Sequence, residues 1–189
     1  MAGPGRPTVL IVDDEPNLTD THAQYLSGKY DVRKAYSGAE ALERLDEEVA
    51  VTLLDRKLPN SSSDDILEGI NERHPECRTA LVTGVTPDFD ILEMEFDDYV
   101  VKPVGKAELR NTVEQMLARS DYQELLREYF ALLSKYATLK THKPETELEE
   151  SPEFVRLEAQ VERRRSELDE LTAEFEPEDF QLLCREIAP

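Results

Sequence analysis

The residues Val9-Leu10-Ile11-Val12-Asp13-Asp14-Glu15, close to the start of the chain, carry most of the information about its fold. Four consecutive aliphatic residues suit a strand that is buried on both faces of a sheet, and the acidic residues mark its end. Three other apolar runs of strand length follow, separated by helical patterns: Val49 to Leu54, Ala80 to Val82 and Tyr99 to Val101. A fifth short run, Asp31 to Ala35, lies between the first two. This alternation predicts an α/β fold with five parallel strands in a doubly wound sheet.

Polar residues follow four of these strands, and their chemistry is complementary. Ligand sites of such sheets lie at the carboxyl ends of the strands, so we expect Asp13, Asp14, Asp55, Thr83 and Lys102 to converge there. Three carboxylates repel one another unless a cation neutralises them, and a hard, oxygen-seeking ion such as Mg2+ fits such a site. The ammonium of Lys102 is expected to bind an anion, and a phosphoryl group that Asp55 attacks would be a suitable one.

Four short segments occur in the order and at the approximate spacing of a known domain: VDDE, LLDRKLP, LVTG and YVVKP. Through these segments, residues 8–118 resemble the receiver domain of two-component response regulators. The resemblance implies a flavodoxin-like sheet and a sensor histidine kinase as partner. It further implies that the chain is not an enzyme acting on other substrates, but accepts a phosphoryl group from phosphohistidine and releases it slowly.

The resemblance to receivers also implies roles for individual residues. Asp55 is the implied phosphoacceptor, and the peptide bond between Lys102 and Pro103 is a candidate for the cis form, which proline makes accessible. The implied Mg2+ ligands are Asp13, Asp14, Asp55 and the backbone carbonyl of Lys57. The implied phosphoryl-binding and switch residues are Thr83, Lys102 and Tyr99.

Between Thr83 and Tyr99 the chain is about one turn shorter than in common receivers, so we expect a stubby helix there, with Thr86 as its N-cap and Pro87 as its first residue.

The remainder of the chain has a helical pattern. No residue breaks the helix between 118 and 122, and a wide apolar face extends from Tyr122 to Leu139. A polar connection follows from Thr141 to Glu150, and Ser151 then caps a second helix with Pro152 at its first position. A short amphipathic piece from 178 to 187 ends the chain. The pattern predicts an all-α helical hairpin behind the receiver.

The first helix of this hairpin has more apolar surface than one partner helix covers, which favours a homodimer with coiled-coil character. Packing against the receiver or the terminal helix is the alternative.

The region resembles the HalX domain found behind receivers in haloarchaea, through Tyr129-Phe130-Ala131-Leu132, Ser134-Lys135, Leu148-Glu149 and Glu153-Phe154-Val155-Arg156-Leu157. The predicted organisation is a flexible lead over 1–7, a receiver over 8–118 and a HalX-like domain over 119–189.

Charge, hydropathy and cysteine content limit the functions that the chain is expected to have. The formal net charge is −20, from 42 acidic and 22 basic residues, and the excess is spread over the whole chain. Such charge disfavours casual contact with nucleic acids or membranes and is typical of proteins from a salty cytoplasm. No apolar run approaches the roughly 20 residues needed to span a bilayer, which predicts no membrane insertion. Cys77 and Cys184 lack metal-ligand spacing, and we expect reduced thiols in a cytoplasmic protein.

These observations favour a response regulator that accepts a phosphoryl group on Asp55 with Mg2+ and relays the switch to a C-terminal output or dimerisation domain. One alternative is an interaction scaffold that works without phosphorylation. Another is a DNA-binding transcriptional regulator, for which the run Arg163-Arg164-Arg165 is the basic segment. That run lies in a Glu-rich helix, where pairing with carboxylates at i to i+4 is expected instead.

Overall fold

The computed structural model describes residues 5–59 and 61–173. The chain divides into two compact units between Leu117 and Ala118. Among the described residues, no helix is both long and apolar enough to cross a membrane.

The first unit is built on one five-stranded sheet. The strands are β1 (Thr8–Val12), β2 (Asp31–Ala35), β3 (Val49–Leu54), β4 (Arg78–Thr83) and β5 (Asp98–Val101). They are arranged in the order β2-β1-β3-β4-β5, and every neighbouring pair is parallel. The order reverses at β1, with β2 on one side and β3 on the other. The predicted doubly wound, parallel α/β fold is therefore confirmed.

Helices connect the strands of this unit. They are α1 (Pro16–Leu26), α2 (Gly38–Arg44) and α3 (Ser63–Arg73), followed by the beginning of α4 (Lys106–His142). Ser37 caps α2 by accepting a hydrogen bond from the Glu40 amide, and Ser62 caps α3 through the amide of Asp64. Because α4 begins soon after β5 and runs to His142, the prediction of no break between 118 and 122 is confirmed.

Two apolar clusters cover the two faces of the sheet, because neighbouring side chains of a strand point to opposite faces. Val9 and Ile11 of β1 belong to the cluster that includes Leu26 of α1 and Leu109, Val113 and Met116 of α4. Leu10 and Val12 belong to the cluster that includes Ala41 of α2 and Ile66, Leu67 and Ile70 of α3. Burial on both faces explains why the interior strands β1, β3 and β4 are mostly apolar.

The segment between β4 and β5 differs from its prediction. It contains a short 3-10 helix, Phe89–Glu93, whose N-cap is Asp88 and not Thr86. The backbone of Asp88 is extended, with φ −134° and ψ 177°, so that no helix begins at Pro87. The Asp88 carboxylate accepts a hydrogen bond of 2.7 Å from the Phe89 amide. The element is stubby, as expected, but the cap prediction was wrong because a carboxylate two residues later takes that role.

The second unit is helical. Besides the rest of α4 it contains α5 (Glu145–Glu149) and α6 (Pro152–Thr172). Ser151 caps α6 by accepting a hydrogen bond of 3.2 Å from the Phe154 amide, with Pro152 in the first turn, as predicted. The helical hairpin is confirmed, but the connection from Thr141 to Glu150 was wrongly predicted to be only a polar loop. It forms α5, because Leu148 is buried and holds that turn against its neighbours.

Helices α4 and α6 run antiparallel. The ring of Tyr136 stacks on that of Phe154 at 5.3 Å, and the guanidinium of Arg164 lies 2.9 Å from the Glu128 carboxylate. Arg164 also pairs with Glu167, and Arg163 reaches Glu167 at 2.9 Å. The expected pairing of the arginine run with carboxylates is thus found for two of its members. The amphipathic piece predicted at 178–187 lies outside the described residues.

Candidate functional site

Backbone hydrogen bonds continue the sheet past the ends of its strands and place the polar residues side by side. The amide of Asp55 donates to the carbonyl of Val12 at 2.8 Å, and the amide of Asp13 donates to Ala35 at 3.1 Å. The amide of Lys102 donates to the carbonyl of Thr83 at 2.8 Å. The residues that follow β1, β3 and β5 therefore lie along one edge of the sheet, as the parallel topology predicts.

The ammonium of Lys102 joins two buried carboxylates. Its Nζ lies 2.6 Å from Oδ2 of Asp13 and 2.5 Å from Oδ2 of Asp55. Asp13 is 2% exposed and Asp55 is 7% exposed, so both charges depend on this partner. Burial is the largest influence on Lys102 and lowers its pKa, but the hydrogen bonds and charges of the two aspartates together outweigh it. The pKa of Lys102 is therefore raised, and the amine is held in its charged form.

Asp13, Asp14 and Asp55 form an all-oxygen cluster that fits a divalent cation. Each offers one carboxylate oxygen, and these oxygens lie within 4.8 Å of one another. Three carboxylates and one ammonium leave a formal charge of −2. A hard ion of charge +2 that prefers carboxylate oxygens and keeps several waters, such as Mg2+, matches this donor set. Asp14 is exposed, so one side of the cluster is open to solvent.

Local hydrogen bonds orient the two buried carboxylates. Oδ1 of Asp13 accepts from the amide of Glu15 at 2.9 Å, and Oδ1 of Asp55 accepts from the amide of Lys57 at 3.0 Å. Thr19 of α1 is fully buried, and its hydroxyl donates to the carbonyls of Asp13 and Glu15, each at 3.1 Å. The side chain of Lys57 is exposed, so this residue contributes its backbone to the site.

Thr83 and Tyr99 are linked through one residue. Thr83 is fully buried at the end of β4, and its Oγ1 accepts from the amide of Val85 at 3.4 Å. The hydroxyl of Tyr99 donates to the carbonyl of the same Val85 at 2.9 Å. The two predicted switch residues therefore contact the same short segment after β4. The peptide bond between Lys102 and Pro103 is cis.

The sequence analysis predicted no role for two residues that lie near the site. His22 of α1 is 3% exposed, and burial lowers its pKa, while the charge of Asp13 raises it and that of Lys102 lowers it. Arg56, directly after Asp55, pairs with the carboxylate of Asp90. His22 lies outside the quoted segments, and Arg56 lies within LLDRKLP without an assigned role, because the contacts of both residues join distant parts of the chain.

Comparison with known families agrees with this geometry. The response regulator receiver domain matches residues 9–114, which is more than half of the chain. The HalX domain matches residues 118–184. Receiver domains bind Mg2+ at an acidic pocket and are phosphorylated by sensor histidine kinases.

Curated relatives match parts of the chain. The chain is 48% identical over 160 residues to a putative transcriptional regulator of Haloferax volcanii, a match that covers 84% of this chain and 27% of that protein. It is 30% identical over 120 residues to the transcriptional regulatory protein CpxR of Escherichia coli K12, covering 61% of this chain and 51% of CpxR. The chain thus spans about a quarter to a half of the length of these relatives.

Solved structures resemble the first unit. A CheY-like receiver domain from Methanospirillum hungatei superposes with a TM-score of 0.59 at 26% identity, covering 63% of this chain and 99% of that one. The BeF3-activated DrrB receiver domain superposes with a TM-score of 0.56 at 28% identity, covering 60% and 98%. Fold, acidic cluster and family matches agree, and the chain belongs to the response regulators, with a receiver domain followed by a HalX domain.

Proposed function

We propose that this chain accepts a phosphoryl group from a sensor histidine kinase onto Asp55, with Mg2+ bound by Asp13, Asp14, Asp55 and the backbone carbonyl of Lys57. The observation that carries the proposal is the ammonium of Lys102 between two buried carboxylates, beside a third carboxylate that is open to solvent. A structural ion pair needs one carboxylate. Two carboxylates on one lysine, with a third beside them, leave a negative site that suits a cation and, with it, a phosphoryl anion.

In the transfer step, an oxygen of the Asp55 carboxylate attacks the phosphorus of the phosphohistidine. The bond from phosphorus to the imidazole nitrogen breaks, and that nitrogen takes a proton from solvent as it leaves. The Lys57 amide and the Lys102 ammonium orient the carboxylate through Oδ1 and Oδ2 at 3.0 and 2.5 Å. Lys102 is placed to stabilise the negative charge that develops on the phosphoryl oxygens.

The metal site has a defined task in this scheme. Bound Mg2+ would neutralise charge on the phosphoryl oxygens and so lower the electrostatic cost of bringing an anion to three aspartates. Asp13 is held for this role by the Glu15 amide and through its carbonyl by Thr19. Asp14 supplies the exposed oxygen.

The new charge on Asp55 would then be transmitted through Thr83 and Tyr99. The Thr83 hydroxyl is buried and carries a proton that it can donate to a phosphoryl oxygen. Movement of Thr83 would alter its contact with Val85, whose carbonyl accepts from Tyr99 at 2.9 Å. The phosphoryl group would thereby bias the arrangement of a surface segment, as expected for a phosphorylation switch.

Acetyl phosphate tests the proposal without a kinase. With Mg2+, the full chain should gain the mass of one phosphoryl group, and excess chelator should abolish the gain. Asp55→Asn should remove labelling, whereas Asp65→Asn, a matched change of an exposed carboxylate in α3, should not. Equal labelling of Asp55→Asn, or labelling that is indifferent to chelator, would contradict the proposed site.

We also propose that the HalX domain forms a homodimer through its helices. Phe130 of α4 is 56% exposed and Val155 of α6 is 51% exposed, which leaves apolar surface in the helical unit. Light scattering of the full chain in high salt should give a dimer mass at micromolar concentration. Phe130→Gln should shift the equilibrium toward monomer, and Ala131→Gln, an adjacent exposed position, should not. A monomer mass for the parent chain over the accessible concentrations would refute the dimer.

A further inference from the structure

Arg56 makes contacts that the phosphorylation chemistry does not use. It directly follows Asp55 in the chain, and its side chain is only 17% exposed. The guanidinium pairs with the carboxylate of Asp90, in the 3-10 helix Phe89–Glu93, and lies close enough to the side chain of Tyr99 to interact with it electrostatically. Arginine presents several donors in a rigid plane, so one side chain can hold two acceptors in a defined geometry.

Tyr99 has neighbours that position its side chain. Its hydroxyl donates to the carbonyl of Val85 at 2.9 Å, and the charge of Arg56 lies nearby. The ring also packs against Phe96, with the ring centres 5.8 Å apart. Tyr99 is therefore held by Val85 and Phe96, and Arg56 is the neighbouring charge that comes from the loop carrying Asp55.

The 3-10 helix has few other attachments. Phe89 is 84% exposed and Leu92 is 79% exposed, so its large apolar side chains do not anchor it in the core. Its N-terminus is capped by Asp88, whose carboxylate accepts from the amide of Phe89 in the same segment. Among the described residues, the pair between Arg56 and Asp90 is thus the side-chain hydrogen bond that ties this helix to the loop after β3.

We propose that Arg56 is a positioning residue, which couples the phosphoacceptor loop to the 3-10 helix that displays Phe89 and Leu92. The proposal rests on Asp55 being the phosphoacceptor. The Asp55 carboxylate accepts from the amide of Lys57, so rearrangement of that loop on phosphorylation moves the backbone that flanks Arg56. Because the guanidinium holds Asp90, such a movement alters the 3-10 helix. Coupling between two regions is reciprocal, so removing the contact weakens the effect of each region on the other.

Amide hydrogen exchange of the full chain tests this coupling. The exchange of residues 86–94 is measured with Mg2+ alone and after labelling with acetyl phosphate. The variants are Arg56→Met and Asp90→Asn, which remove the contact from either side. Arg33→Met is the matched control, because Arg33 is another partly buried arginine, 28% exposed, whose carboxylate partners Asp46 and Glu48 lie elsewhere in the sequence.

In the unlabelled chain, both test variants should raise exchange over 86–94 by roughly fivefold, as expected for loss of a half-buried charged hydrogen bond. Both should still be labelled, since neither side chain contacts the acidic cluster. The change in exchange that labelling produces in the parent should fall to less than about half in both variants. Arg33→Met should behave as the parent does.

Other outcomes separate the two proposals. If both variants are labelled and respond as the parent does, Arg56 does not couple the regions and the inference is overturned. If Arg56→Met loses labelling because of its position beside Asp55, Asp90→Asn gives the deciding comparison. If the parent itself is not labelled, the proposed function fails. If exchange over 86–94 is also unchanged in the unlabelled variants, the contact between Arg56 and Asp90 does not stabilise the 3-10 helix, and the inference is overturned too.

Discussion

The ammonium of Lys102 lies 2.5 Å from Oδ2 of Asp55, although 47 positions separate the two residues in the chain. The same ammonium lies 2.6 Å from Asp13. Both carboxylates are buried, and removing one partner of a buried ion pair costs more than the pair contributes, because an uncompensated charge is left behind. The electrostatic balance of the acidic cluster therefore depends on this one lysine.

Replacing Lys102 should destabilise the receiver when no divalent cation is present. We expect Lys102→Met to lower the free energy of unfolding by roughly 3 kcal/mol in chelator, and Mg2+ to recover a large part of the loss. Urea unfolding with and without Mg2+ measures both effects. The control is Lys29→Met, since Lys29 pairs with Glu114 on the surface, and its midpoint should hardly move. Equal losses in the two variants would argue against a special role for Lys102.

The same lysine should give stability a dependence on alkaline pH. The pKa of Lys102 is raised above its ordinary value of 10.5, so the folded state binds the proton more tightly than the unfolded state. Its contribution is complete below pH 10.5 and is lost as the pH rises through the folded pKa. The difference in unfolding free energy between the parent and Lys102→Met, in chelator, should shrink over that range. A difference that is constant with pH would contradict the ion pair.

Cys77 should be unreactive in the folded chain. Burial raises the pKa of this thiol from 9.0 to about 11, and the residue is 3% exposed. At pH 8 this pKa leaves about 100-fold less thiolate than the ordinary value would. In a Cys184→Ser background, iodoacetamide should modify Cys77 rapidly in urea and at least about 100-fold more slowly in buffer. Comparable rates in the two conditions would show that the thiol is accessible.

The HalX hairpin should depend on the stacked pair of Tyr136 and Phe154. Phe154 is 5% exposed, so we expect Phe154→Ala to cost about 3 kcal/mol through lost burial and the cavity that remains. The neighbouring Val155→Ala removes an exposed side chain and should cost much less. Circular dichroism of the full chain during urea unfolding measures both. If the helical signal is lost at the same urea concentration in the two variants, the stack does not hold the hairpin.

Much of the receiver could be predicted from local sequence. Strands such as Val9 to Val12 are continuous apolar runs because both sheet faces are covered, and the parallel topology brings the residues after them to one edge. Asp13, Asp55 and Lys102 could therefore be assigned to one site from the sequence alone. The Ser151 cap and Pro152 of α6 were predictable for the same reason, since capping depends on a few neighbouring residues.

Predictions were wrong where several local choices had similar energies. Thr86 and Asp88 are both suitable N-caps, and the 3-10 helix begins after Asp88. The turn at Glu145–Glu149 lies in a polar stretch, and the burial of Leu148 stabilises it. In both segments the local preference is weak compared with the contacts that the rest of the chain supplies.

The sequence by itself determined the order of the elements, the parallel sheet and the set of charged residues at its edge, because periodicity and strand ends are local properties. Only the tertiary structure decided that Lys102 bridges Asp13 and Asp55, and that Arg56 holds Asp90. Side chains 34 to 89 positions apart meet in these pairs, and no local pattern encodes such distances. Their partners are chosen by how the backbone is packed and by the cost of burying a charge without an opposite one.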